Sequence, residues 1–149
     1  MKWILTSLVT LVIGIAVLVA CEGNVFSLKV GDCYNGPLTN TEEHTEIPDV
    51  EVVSCDDPHK NEVYAVFELP DSSWKGLDYV YEQTSIGCLA RFEAYVGIEY
   101  ERSTLYGEAI YPLEKSWKEK DNRKVLCSVT EVTEESVIKV SGSVKGSRR

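Results

Sequence analysis

The densest run of side chains able to do chemistry is Cys55-Asp56-Asp57-Pro58-His59-Lys60-Asn61-Glu62. His59 is one of two histidines in the chain, and Asp56, Asp57 and Glu62 all lie within three residues of it. An imidazole beside carboxylates can work as a base near neutral pH, and Asp57 with His59 could ligate a metal ion. Zinc, however, favours more nitrogen or sulfur ligands than this run supplies. Pro58-His59 also fits a fixed turn in which the ring bonds backbone groups that the turn leaves unpaired. Asp56, Asp57, Pro58, His59 and Glu62 therefore read as a structural motif. His44, in a polar stretch, reads as solvated.

The second reactive class is thiol. There are five cysteines: Cys21, Cys33, Cys55, Cys88 and Cys127. No two of them form a CxxC pair, which weakens a zinc or redox reading. Without Cys21 the count is even, as in an exported segment with two disulfides. Four cysteines allow three pairings. Cys33–Cys55 and Cys88–Cys127 are favoured, because each cysteine then pairs with its neighbour along the chain. No GxSxG, SxxK or HExxH pattern occurs, and no glycine-rich phosphate loop follows a strand. Glu42-Glu43 and Glu134-Glu135 lie in polar segments and read as solvated charge. No catalytic residue, metal or cofactor is expected.

Cys21 has a different setting. Lys2 is followed by an uncharged, mainly apolar run from Trp3 to Ala20, closing in Leu18-Val19-Ala20-Cys21. A positive start, an apolar core and small residues before a cut site make a secretory signal. Leu18-Val19-Ala20-Cys21 resembles the bacterial lipobox, whose cysteine is acylated and becomes the first mature residue. The competing reading is an uncleaved anchor, since 18 residues approach the length needed to cross about 30 Å of hydrocarbon. Both put the rest of the chain outside the cytoplasm. Two acyl chains on one cysteine would anchor it stably.

The full chain of 149 residues carries −9; loss of residues 1–20 removes Lys2 and leaves 14 basic against 24 acidic residues, −10. That balance disfavours nucleic acid and anionic lipid surfaces as partners. Tyr34, Tyr64, Trp74, Tyr79, Tyr81, Tyr100, Tyr106 and Trp117 are many aromatics for a small domain. Polar-tipped rings at loop positions suit a partner surface. Trp74, Tyr79 and Tyr81, between a strand and a helix, are the candidates for it, with an envelope protein or a glycan as partner.

These groups need elements to hold them. Residues 22–28 read as a short lead, Leu28–Val30 as a brief strand into Gly31-Asp32, and 35–49 as loop. Val50–Val53 restarts strand sequence. Glu62–Leu69 is the best strand, with Val63, Ala65, Phe67 and Leu69 alternating against Tyr64, Val66 and Glu68. Gln83–Val96 is the best helix: Cys88, Leu89, Phe92, Tyr95 and Val96 share a stripe, and Gly97 stops it. Tyr106–Tyr111, Lys124–Val132 and Val137–Val140 read as strands and Glu114–Lys120 as a short helix. The order predicts an α+β fold: a small antiparallel sheet with one main helix packed on it and two disulfides. The organisation predicted is a lipoprotein signal peptide over 1–20, a lipidated N-terminus and tether over 21–29, one domain over 30–146 and a frayed tail over 147–149.

Several segments resemble the septum-formation domain family of actinobacterial envelope proteins. They are Gly31-Asp32-Cys33; Val53-Ser54-Cys55 through Pro58-His59 to Glu62-Val63; Cys88 and Phe92 with Tyr95-Val96-Gly97; Tyr111-Pro112 with Ser116-Trp117; Arg123 with Val125-Leu126-Cys127; and Ser141 to Gly146. One departure is Lys120-Asp121-Asn122, where a glycine-bearing turn is expected. The resemblance implies an extracytoplasmic site and a link to septum formation, with no established catalysis. The expected function is a non-catalytic lipoprotein, held in the membrane by lipid on Cys21, with a binding role at the envelope. The alternatives are a phage-encoded surface lipoprotein that blocks superinfection, and a metal-dependent or His-based enzyme centred on His59.

Overall fold

The strands begin from the sequences richest in β-branched and aromatic residues. Asn61-Glu62-Val63-Tyr64-Ala65-Val66-Phe67-Glu68 and Lys124–Val132 pair antiparallel through the middle of a curled sheet. The computed structural model describes residues 21–36, 49–133 and 136–149. The signal-peptide segment 1–20 and most of the predicted loop, 37–48, lie outside the described residues. In chain order the strands are β1 (Cys21–Asn24), β2 (Cys33–Asn35), β3 (Asp49–Val53), β4 (Asn61–Glu68), β5 (Leu105–Ile110), β6 (Lys124–Val132) and β7 (Val137–Ile138). Across the sheet they run β1-β3-β2-β4-β6-β5, with β7 also paired to β6. Helix α1 (Leu77–Val96) lies between β4 and β5, and α2 (Glu114–Lys120) between β5 and β6. The expected α+β fold is the one observed, with both disulfides paired as favoured: Cys33–Cys55 and Cys88–Cys127.

The two faces of the sheet hold two cores. Ala65, Leu69, Val125, Cys127 and Val129 pack under the α1 residues Val80, Cys88, Phe92 and Val96. On the other face Val63, Leu126 and Ile110 pack with Tyr34, Val50 and the N-terminal Val25 and Leu28. The strict alternation expected in β4 breaks, because a bulge lies between Val63 and Ala65. Val63 faces the second core while Tyr64 and Ala65 both serve the first. An extra residue in one strand of a pair shifts all later side chains by one position.

Helix α1 begins six residues before the predicted start at Gln83. Its buried stripe is Val80, Thr84, Cys88, Phe92, Tyr95 and Val96, and Leu89, expected on it, is 47 % exposed. Residues at steps of four from Val80 define the inner face, and Leu89 falls beside it. Gly87 lies so close to β4 that a Cβ there would meet Phe67 Cζ at 2.3 Å. Gly97 ends the helix as expected, at φ 87°, with its N–H donating to Glu93 O at 2.8 Å.

Both ends differ from expectation. Residues 21–29 are more than the short tether expected: Cys21–Asn24 pair with Val52–Asp49, Val25–Ser27 form a 3-10 turn, and Val25 and Leu28 are buried. The brief strand expected at Leu28–Val30 is absent, since Leu28 N–H closes the turn onto Val25 O and Lys29 leads into the Gly31 turn. Apolar side chains that cover the sheet's second face hold this segment down. The predicted frayed tail 147–149 is also tied: Arg148 N–H donates to Val96 O, Ser103 Oγ to Arg149 O, and Arg149 pairs with Glu131.

Candidate functional site

The cysteine–proline–histidine run forms a corner between β3 and β4. Asp57 N–H donates to Ser54 O at 2.9 Å and closes the turn. His59 exchanges two backbone bonds with Val140, each 2.9 Å, and its buried ring places Nδ1 2.9 Å from Asp57 O. A carbonyl can only accept, so Nδ1 is the donor, and Nε2 has no partner among the described residues. Asp56 and Asp57 are exposed; Asp57 meets the ring through its backbone carbonyl.

Glu62 is the carboxylate that is buried. Tyr95 Oη and Ser143 Oγ donate to its Oε1, each at 2.6 Å, and Val144 N–H donates to Oε2 at 2.7 Å. One side chain on β4 thus pins α1 and the C-terminal segment together. Burial, and then the bond to Glu62, pushes the Tyr95 hydroxyl above the ordinary phenol range, so it stays a donor. Potential ligand atoms of Cys33, His59 and Glu62 lie within 4.8 Å of one another. Yet the Cys33 sulfur is bonded to Cys55, and the Glu62 oxygens already accept three hydrogen bonds. The corner is built as a clamp.

The structure separates the three aromatics expected to form one patch. Trp74 packs edge-on against Trp117, and the Arg123 guanidinium covers Trp117 at 3.9 Å while bonding the Asp71 and Ser72 carbonyls. Tyr79 donates to Asp71, which Lys75 also contacts; these two donors hold the Asp71 carboxyl below its usual range. Tyr81 alone stays open, 60 % exposed. Two residues apart on a helix, Tyr79 and Tyr81 lie on different faces.

Tyr81 belongs to a groove of about 340 Å³ between α1 and β5, within the range of ligand sites. Tyr64 and Cys88 lie at its floor, and Tyr81, Thr84, Ser85 and Leu89 form the α1 wall. Opposite them are Tyr100, Tyr111 and the β5 segment Tyr106–Ala109. The rings are braced: Phe92 packs edge-on against Tyr64 and Tyr100, and Tyr81 against Tyr111. Burial raises the Tyr64 hydroxyl above the phenol range. The Cys88–Cys127 disulfide joins the α1 side to β6, the strand next to β5. This is a rigid, hydroxyl-tipped aromatic cleft. Composition revealed the excess of tyrosine; only the antiparallel return of β5 beside α1 brings Tyr111 against Tyr81 and sets Tyr100 and Tyr106 along the same groove. A signal was available in Tyr81, Ser85 and Leu89, which form a second stripe beside the buried one.

At the other end of the chain, the Cys21 backbone pairs with Val52. No helix among the described residues is long and apolar enough to cross a membrane. A family model described as septum formation matches residues 30–149. No curated protein and no solved structure matches the chain.

Proposed function

The chain belongs to the septum-formation family, and from that premise we propose that it is a non-catalytic binding module of the cell envelope, anchored by lipid on Cys21 and serving septum formation through the α1–β5 groove. The observation that carries the binding role is the groove itself: braced tyrosines around an open cleft. Tyrosine rings and hydroxyls make up much of its lining, the chemistry of recognition. The lipid anchor is supported by Leu18-Val19-Ala20-Cys21 at the end of an apolar run. The segment following Cys21 packs on the face of the sheet opposite α1, so an anchor there leaves the groove facing away from it.

Two measurements test this. A photo-crosslinking residue at Tyr81 or Tyr106 should trap a partner in intact cells, and one at exposed Lys118 on α2 should not; equal yields at all three positions would remove the groove from consideration. Cys21→Ala should abolish incorporation of labelled fatty acid, and continued labelling would overturn the anchor.

A further inference from the structure

The groove has a feature that tyrosines alone do not explain: its β5 wall is the edge of the sheet, with β6 as its ladder partner. Leu105 N–H donates to Ser103 Oγ at 3.1 Å and Gly107 N–H to Tyr100 Oη at 3.2 Å. Those amides therefore point away from β6. The two-residue period of a strand puts the Ala109 amide on the same outer side. Nothing among the described residues accepts from it, and Ala109 lines the groove. Two outer donors are capped by side chains, which protects the edge against indiscriminate pairing. The third is left open where the cleft lies.

Resting on the groove as the binding surface, we propose that its occupant is an extended polypeptide segment of a partner, added as a short strand to β5 at Ala109. An extended backbone carries the carbonyl that Ala109 needs, and every second side chain of such a strand turns to one face. Those side chains would enter the cleft over Tyr64 and Tyr81. A glycan could meet the tyrosine hydroxyls but has no reason to require the amide of an edge strand.

The test is selection of a displayed library of random short peptides on the folded protein, followed by titration of the strongest peptide. Binding should slow hydrogen exchange at the Ala109 amide. Ala109→Pro removes that outer donor and leaves the β6 ladder intact; it should weaken the peptide about tenfold or more, with the melting temperature little changed. Should that variant fold poorly, N-methylation scanned along the peptide supplies the same test, and one position should lose about tenfold. Peptides that bind without protecting Ala109, and are indifferent to both changes, would overturn the proposal. So would failure to select any peptide while an N-acetylglucosamine oligosaccharide binds and loses affinity in Tyr81→Ala; the groove reading would then survive. Binding of either probe that ignores Tyr81→Ala and Tyr106→Ala would instead dismiss the groove.

Discussion

Two carboxylates, both on sheet strands, mark the contrast between the clamp corner and the groove. Glu62 is buried and accepts three hydrogen bonds, tying β4 to α1 and to the C-terminal segment. Glu108 on β5 is half-buried, accepts no hydrogen bond among the described residues, and burial raises its pKa. The corner spends its polar groups on itself, while the β5 edge leaves some unsatisfied. A conspicuous motif can thus mark what holds a fold together, while the proposed recognition surface is assembled from residues with no motif at all. Buried polar groups that are fully bonded rigidify a structure; open ones are available to a partner.

The contrast can be broken by substitution. Glu62→Ala should be the most damaging, because three donors lose one acceptor; a loss of about 3–5 kcal/mol is expected by denaturant titration. Glu62→Gln should lose less, and equal stability in both variants would refute the clamp. Next come the disulfides. Replacing Cys88 and Cys127 together by alanine opens a loop of sequence separation 39, against 22 for Cys33 and Cys55. The chain-entropy model gives about 4 and 3 kcal/mol respectively. Loss of the first pair should also loosen the groove, visible as faster amide exchange across α1 and β5.

His59→Ala should lower stability by about 1–3 kcal/mol, since the Asp57 carbonyl loses its donor inside the corner. Zinc or a chelator should leave the melting temperatures of parent and variant unchanged. A variant that melts like the parent would end the structural account of His59. Tyr81→Ala should change stability by less than about 1 kcal/mol, as expected for an exposed ring, yet weaken partner binding. The smallest effect belongs to Glu108→Gln. A raised folded pKa means that the folded chain binds the proton more tightly than the unfolded one. The electrostatic penalty is then absent below the ordinary glutamate range and grows as pH rises through and above it. Glu108→Gln should thus melt higher than the parent at pH 7, by less than about 1 kcal/mol after solvent screening, and alike at pH 4. A variant that melts lower at pH 7 would show that Glu108 has a partner.

What could be read from sequence was local and periodic. The cysteine count, the short helix Glu114–Lys120 and strand Lys124–Val132 followed from spacing, and the structure matches them. The start of α1 did not, because Trp74 and Tyr79 resemble loop aromatics until Trp117 and Arg123 are brought against that segment by a return of the chain. The Tyr64 bulge was hidden too: alternation in one strand says nothing about where its neighbour skips a residue. Residues 21–29 are polar enough to read as tether, and only the uncovered second face of the sheet explains why Val25 and Leu28 are buried. The groove was the least legible feature, since its walls come from four elements.

The Cys33–Cys55 bridge also makes a closed covalent ring of everything between those residues, and the backbone pairing of Cys33 with Val53 seals the neck of that ring. A protease that cuts once within residues 37–48 therefore leaves a single molecule, whose two pieces separate only under a thiol reductant. The two ends of residues 37–48 are carried by β2 and β3, which the bridge and the Cys33–Val53 pairing hold together, so each doubling of the length between them adds only about 0.6 kcal/mol of closure cost. That makes residues 37–48 the natural place to insert an epitope or a fluorophore for following the protein.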